Sequence, residues 1–151
     1  MTRTDAREIA VRLIFSISEN PTDPEAFLNQ VFDEAYYARL AEEDALYQSP
    51  PSAKQLDYIT RLVTGVFEHS AELDGYIEKY AVGWKFARIS RTAVAIMKTA
   101  MFEVLYMPDI PDKAAINEAV ELAKRYESPE TVPFINGVLG SFARSEVFGG
   151  E

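Results

Sequence analysis

The chain has 151 residues, 48% of them hydrophobic and 26% charged, which is enough for one globular domain or two small halves. Zero cysteines exclude disulfide frameworks, thiolate zinc sites, iron–sulfur clusters and a cysteine nucleophile, and the single histidine, His69, excludes histidine-rich metal sites. The net charge of −9 disfavours nucleic acid only if it is evenly spread, and it is not. Residues 19–57 hold nine acids against Arg39 and Lys54, whereas residues 76–98 hold Lys79, Lys85, Arg88, Arg91 and Lys98 against Glu78 alone. Salt screens charge beyond about 8–10 Å, so a polyanion senses the basic middle segment rather than the total. No apolar run approaches the roughly 18 residues of a membrane span, and the polar start MTRTDAREIA lacks a signal peptide's apolar stretch. The expected setting is therefore the cytoplasm, with no membrane partner.

Every long segment has helical period. Ala6, Ile9, Ala10, Leu13, Ile14 and Ile17 form the first apolar stripe, with Arg3, Arg7 and Val11 on the flank away from it and Phe15 one turn on. Asn20-Pro21 ends that helix. Thr22 or Asp23 caps a second, with Pro24 at its first position and Phe27, Leu28, Val31, Phe32 and Ala35 facing inward. Gln48-Ser49-Pro50-Pro51 is the clearest break. Ser52 then caps a helix carrying Leu56, Ile59, Leu62, Val63, Val66 and Phe67, and Leu73, Ile77 and Tyr80 continue or follow it.

Gly83-Trp84 punctuates the chain before Ser90, which caps a helix with Ala93, Ile96, Met97, Ala100, Val104 and Leu105, stopped by Pro108 and Pro111. Asp112 and Thr131 cap the last two helices, whose inward residues are Ile116, Ala119, Val120 and Ala123, then Phe134, Val138, Leu139 and Phe142. The pattern predicts an all-α bundle of seven helices in a single domain over 1–146. It is built from two small helical subdomains, about 1–80 and about 81–146, sharing one core, and 147–151 form a frayed tail.

The parts of an enzyme are missing. The seven glycines are scattered and make no phosphate loop. His69 follows a helix end, a place where histidine stabilises the last carbonyls. Glu42, Glu43 and Asp44 are consecutive, so helical geometry points them around the axis, and Glu118 and Glu121 read as solvated. The chain is not expected to be an enzyme or to hold a metal or cofactor.

Three stretches carry polar residues that helix packing does not need. In AREIAVRLIFS, Phe15 beside Arg7 either covers an edge of the core or offers a ring to a base while the arginine fork takes phosphate. In RISRTAVAIMK, Arg91 and Lys98 stand two turns apart, as a solvated basic face or as phosphate contacts. Asn117 and Asn136 lie in apolar helices, where they need either an inter-helix partner or a ligand. We expect Asn117 to be structural, tying its helix to a neighbour.

Together these stretches resemble the NusB transcription antitermination family. The matching phrases are AREIAVRLIFS, LVTGVFEH, LDGYIEKYAVGW, ISRTAVAIMKTAMFEVLY, IPDKAAINEAVELAKRY and PFINGVLGS, in the family's order and over nearly the whole chain apart from 19–55 and the tail. The resemblance implies an all-helical protein that binds boxA RNA of ribosomal RNA leader transcripts together with NusE, a small-subunit ribosomal protein. The complex joins RNA polymerase and suppresses premature termination. The family's arginine-rich start maps onto Arg3 and Arg7, thinned by Thr4 and Asp5; its aromatic maps onto Phe15, its helix cations onto Arg91 and Lys98, and its F-[VI]-N-G segment onto Phe134 and Asn136. Ala93 stands where an acid is usual and Pro133 where lysine is frequent. The alternative is a protein-interaction module that homodimerises or docks NusE with little RNA affinity of its own.

Overall fold

The computed structural model describes residues 1–148, and residues 149–151 lie outside the described residues. It is helical throughout, with eight α-helices among the described residues and no strand. Chain contacts divide into two compact units, Met1–Phe67 and Glu68–Glu151. The division expected about residue 80 therefore falls at Phe67/Glu68. The physical reason is that the helix carrying Leu73 and Ile77 packs on later helices of the second unit.

In the first unit, α1 spans Arg3–Glu19. Its start is a capping box: the Asp5 N–H donates to Thr2 Oγ1 at 3.0 Å, and the Thr2 N–H donates to Asp5 Oδ2 at 3.1 Å. Asp5, which thins the arginine motif, thus closes the helix end. Asp23 caps α2 (Pro24–Val31) by accepting from the Ala26 N–H.

The expected single helix continuing from there is two helices, which raises the count from seven to eight. Phe32 leaves helical register, and Asp33, in extended backbone at φ −57° and ψ 133°, accepts from the Tyr36 N–H to start α3 (Glu34–Glu43). A 3₁₀ turn, Ala45–Tyr47, follows, and Ser52 with Gln55 forms a second reciprocal cap at the head of α4 (Ala53–Glu68).

The second unit holds α5 (Ser70–Tyr80), a 3₁₀ turn Phe86–Arg88, α6 (Arg91–Tyr106), α7 (Asp112–Tyr126) and α8 (Thr131–Phe142). Ser90 caps α6 as expected, accepting from the Ala93 N–H at 3.3 Å. Asp112 and Thr131 are instead the first helical residues of α7 and α8, after Pro111 and Glu130, neither of which makes a side-chain cap. Helix α6 packs against α5, α7 and α8, and every residue from Ala95 to Glu103 is buried. Buried residues all round a helix mean that it has no solvent face over that length. The chain continues from α8 as a π-helical turn, Ala143–Phe148, in which Glu146 accepts from the Lys79 ammonium at 2.8 Å and from the Tyr80 hydroxyl. The start of the tail expected to fray is thus wound in that turn, and its end, 149–151, lies outside the described residues.

His69 does not donate to helix carbonyls. It stands at the N-terminal cap position of α5 without a side-chain cap bond, and its ring stacks on Tyr106 with centroids 4.3 Å apart. The Tyr106 hydroxyl donates to Glu72 at 2.7 Å, which, with some burial, pushes its pKa up to about 12.

Asp33 is the residue that splits α2 from α3. Asp33→Ala should lower unfolding free energy by about 1 kcal/mol, the usual worth of an N-cap, measured by urea denaturation. Unchanged stability would mean that the break is set by Phe32 and packing alone.

Candidate nucleic-acid interface

The first unit's arginines are partly consumed by the fold. The Arg3 guanidinium lies 4.2 Å from the centre of the Tyr58 ring, and that of Arg7 lies 5.7 Å from it. Arg3 is half-buried, but Arg7 is 4% exposed and Val11 is buried too. The flank expected to face solvent is therefore largely closed, because a buried aromatic on α4 gives the arginines a stacking partner. Stacking occupies the flat face of a guanidinium and leaves its N–H edge for an acceptor, so Arg3 keeps donor capacity at the surface. Phe15 is half-buried, one turn from the buried stripe. Arg12, not singled out as a site residue, bonds Asp44 at 2.6 Å and holds that carboxyl below the usual carboxylate range.

The first unit also contains a groove of about 430 Å³, lined chiefly by Phe32, Tyr37, Tyr47, Pro50 and Leu56, with Glu34 among its polar residues. Tyr37 is its frame: its ring stacks on Phe32 and meets Tyr47 edge-on, both at 5.7 Å, while its hydroxyl donates to the Ser49 carbonyl at 3.0 Å. Burial, reinforced by Tyr47 and Asp5, pushes the Tyr37 pKa up to about 12, so this donor stays protonated at neutral pH.

In the second unit, Arg91 and Lys98 share a helix but not an environment. Arg91, at the first position of α6, is exposed. Lys98 is 7% exposed; its ammonium sits 2.9 Å from Asp74 Oδ1 and donates to Ser70 Oγ at 2.6 Å. A basic face running from Arg91 to Lys98 therefore does not exist, because α6 is buried where Lys98 stands and both partners are on α5. Asn117 is exposed, which overturns the expectation of a structural role inside the bundle. On α8, Asn136 is exposed and Phe134 half-buried.

Phe134 meets a residue that the sequence reading treated only as punctuation. Trp84, 56% exposed, lies with its ring centre 4.7 Å from that of Phe134 and tilted by 45°. The same turn carries Lys85 and Arg88, both exposed, and leads into Arg91. The signal was available: from Lys79 through Lys98 the sequence has five cations and no acid, with its one tryptophan in the middle. The geometry brings Trp84 and Phe134 together and leaves exposed cations on the intervening loop.

The comparisons with known proteins decide the family. The NusB family model matches residues 4–144. This chain belongs to the NusB family. It is 37% identical to the transcription antitermination protein NusB of Acetivibrio thermocellus, covering 100% of this chain and 94% of that protein. It is 36% identical to the protein of the same name from Symbiobacterium thermophilum, over 95% and 90% of the two chains. Among solved structures, NusB of T. maritima superposes with a TM-score of 0.77 at 26% identity, over 99% of this chain and 98% of that one. The solution structure of NusB from Aquifex aeolicus, at 19% identity and a TM-score of 0.71, shares the fold over 100% of this chain and 94% of that one. As a NusB-family member the chain is a transcription antitermination factor, and its fold is the family's.

Lys98→Met tests the division between structural and surface cations. Leaving Asp74 and Ser70 without their partner should cost about 1–3 kcal/mol of stability, read by thermal or urea unfolding. RNA affinity per folded molecule should not change. Loss of RNA affinity at full stability would return Lys98 to the interface.

Proposed function

We propose that this chain acts in antitermination by binding boxA-type single-stranded RNA of ribosomal RNA leader transcripts, in company with the ribosomal protein NusE and as part of the RNA polymerase complex in the cytoplasm. The observation that carries this is the contact of Trp84 with Phe134, since it joins the acid-free basic loop to the α8 segment that holds exposed Asn136. Cations for phosphate beside aromatic rings for bases are the chemistry of single-strand recognition. Arg91 and Arg3 supply phosphate donors; Phe134 and Asn136 meet bases; Phe15 flanks the first unit's share. Arg7 acts mainly by packing against Tyr58, and Lys98 by holding α6 to α5.

A second reading, that the chain docks a protein partner with little RNA affinity of its own, is favoured by the first unit's groove. An aromatic groove in a segment with nine acids against two bases suits a basic protein such as NusE and repels RNA. The same surface in a second copy is acidic, which disfavours homodimerisation through it.

Salt dependence and chromatography separate the readings. With about four phosphate contacts to a single strand, log K for boxA-type RNA should fall with log salt at a slope near −3, and NusE should tighten binding. A slope near zero with scrambled RNA bound equally, together with a stable NusE complex on size exclusion, would favour the docking module. A homodimer that dissociates on adding RNA would place RNA on the pairing surface.

A further inference from the structure

An exposed tryptophan is an expensive surface residue, because a large apolar ring stays in water unless something covers it. Trp84 is held there by construction. Gly83 is the only described residue with positive φ, at 84°, and that backbone lets the chain turn outward after α5. The Trp84 N–H then donates to the Ala81 carbonyl at 3.1 Å, which closes the turn and fixes where the ring begins. Phe134 supports the ring from α8 at 4.7 Å, and Val82, 85% exposed, extends the apolar surface.

The charge around this ring selects its ligand. Lys85 follows it directly, Arg88 lies in the next 3₁₀ turn and Arg91 opens α6, all exposed. Glu127 and Glu130, ahead of Phe134 in the chain, leave the cations in excess. Lys79 and Lys98 are engaged with Glu146 and Asp74, whereas Lys85 and Arg88 stand exposed on the loop beside the ring. A ring offering apolar area between flexible cations fits a nucleobase with its flanking phosphates, whereas a buried protein contact would be depleted in lysine.

We propose that Trp84, backed by Phe134, is a stacking platform for one nucleobase of the bound single strand, with Lys85 and Arg88 on the adjoining phosphates. The proposal rests on the RNA-binding reading above and adds to it the residue that carries most of the base contact. Such a platform tolerates any base, since every base has a flat face, so sequence preference must come from polar neighbours such as Asn136.

The test uses the full chain and the fact that Trp84 is its one tryptophan, so intrinsic emission reports this ring alone. A boxA-type RNA oligonucleotide is titrated while emission is followed, and affinity is measured in parallel by polarisation of the same RNA carrying a dye. The expected result is quenching that saturates with the polarisation curve. Trp84→Ala should bind about tenfold or more weakly, and Trp84→Phe should retain most of the affinity. Circular dichroism and thermal unfolding should match the parent, because the ring is exposed. RNA binding by polarisation with unchanged emission and undiminished Trp84→Ala affinity would overturn the platform while leaving the RNA reading intact. No RNA binding to the parent would overturn both. Quenching by NusE without any effect of RNA would assign the ring to a protein contact and overturn the proposal.

Discussion

The second unit depends on a helix with no solvent face over its middle. From Ala95 to Glu103 every side chain of α6 is buried, so α5, α7 and α8 are positioned by what that helix needs around it. Small residues, Ala95 and Ala100, let neighbours approach, while Ile96, Met97, Met101 and Phe102 fill the space between them. The same enclosure dictates the treatment of charge. An ammonium at Lys98 is tolerated only because Asp74 and Ser70 on α5 reach it, and that contact ties the two helices in register.

This constraint sorts the cations. Several on helix faces are engaged with the fold: Lys98 with α5, Lys79 with Glu146, Arg3 and Arg7 on Tyr58, Arg12 with Asp44. Exposed cations also stand on the loop between α5 and α6, where the backbone turn at Gly83 sets Trp84 outward. Net charge is therefore a poor guide to what the chain binds. A strongly acidic protein presents a local basic and aromatic loop, and its acids concentrate in the segment that forms the first unit's groove.

Much of the fold was legible because apolar residues recurred every three or four positions and Asp23, Ser52 and Ser90 stood at helix starts. What stayed hidden had physical causes. The split at Phe32-Asp33 was masked because the apolar spacing continues across it, while Phe32 leaves helical register and Asp33 caps a new helix. The all-round burial of α6 was hidden because Lys98, Thr99 and Glu103 look like a polar face in one dimension. Asn117 looked trapped for the mirror-image reason: it lies among apolar residues in sequence yet on the exposed side of α7. Residue type singled out Phe134 and Asn136, whereas Trp84 was passed over because its ring partner lies fifty positions away on another helix.

In the reading proposed above, RNA engages the loop from Gly83 to Arg91 and the adjoining start of α8. Amide hydrogen exchange with and without a boxA-type oligonucleotide tests it directly, since exchange resolves surface segments whose protection depends on a ligand. Exchange should slow in the segments 82–91 and 133–138 on adding RNA, with the acidic segment 33–51 unchanged. Protection confined to 33–51, or none in either segment of the second unit under conditions where RNA is bound, would contradict it.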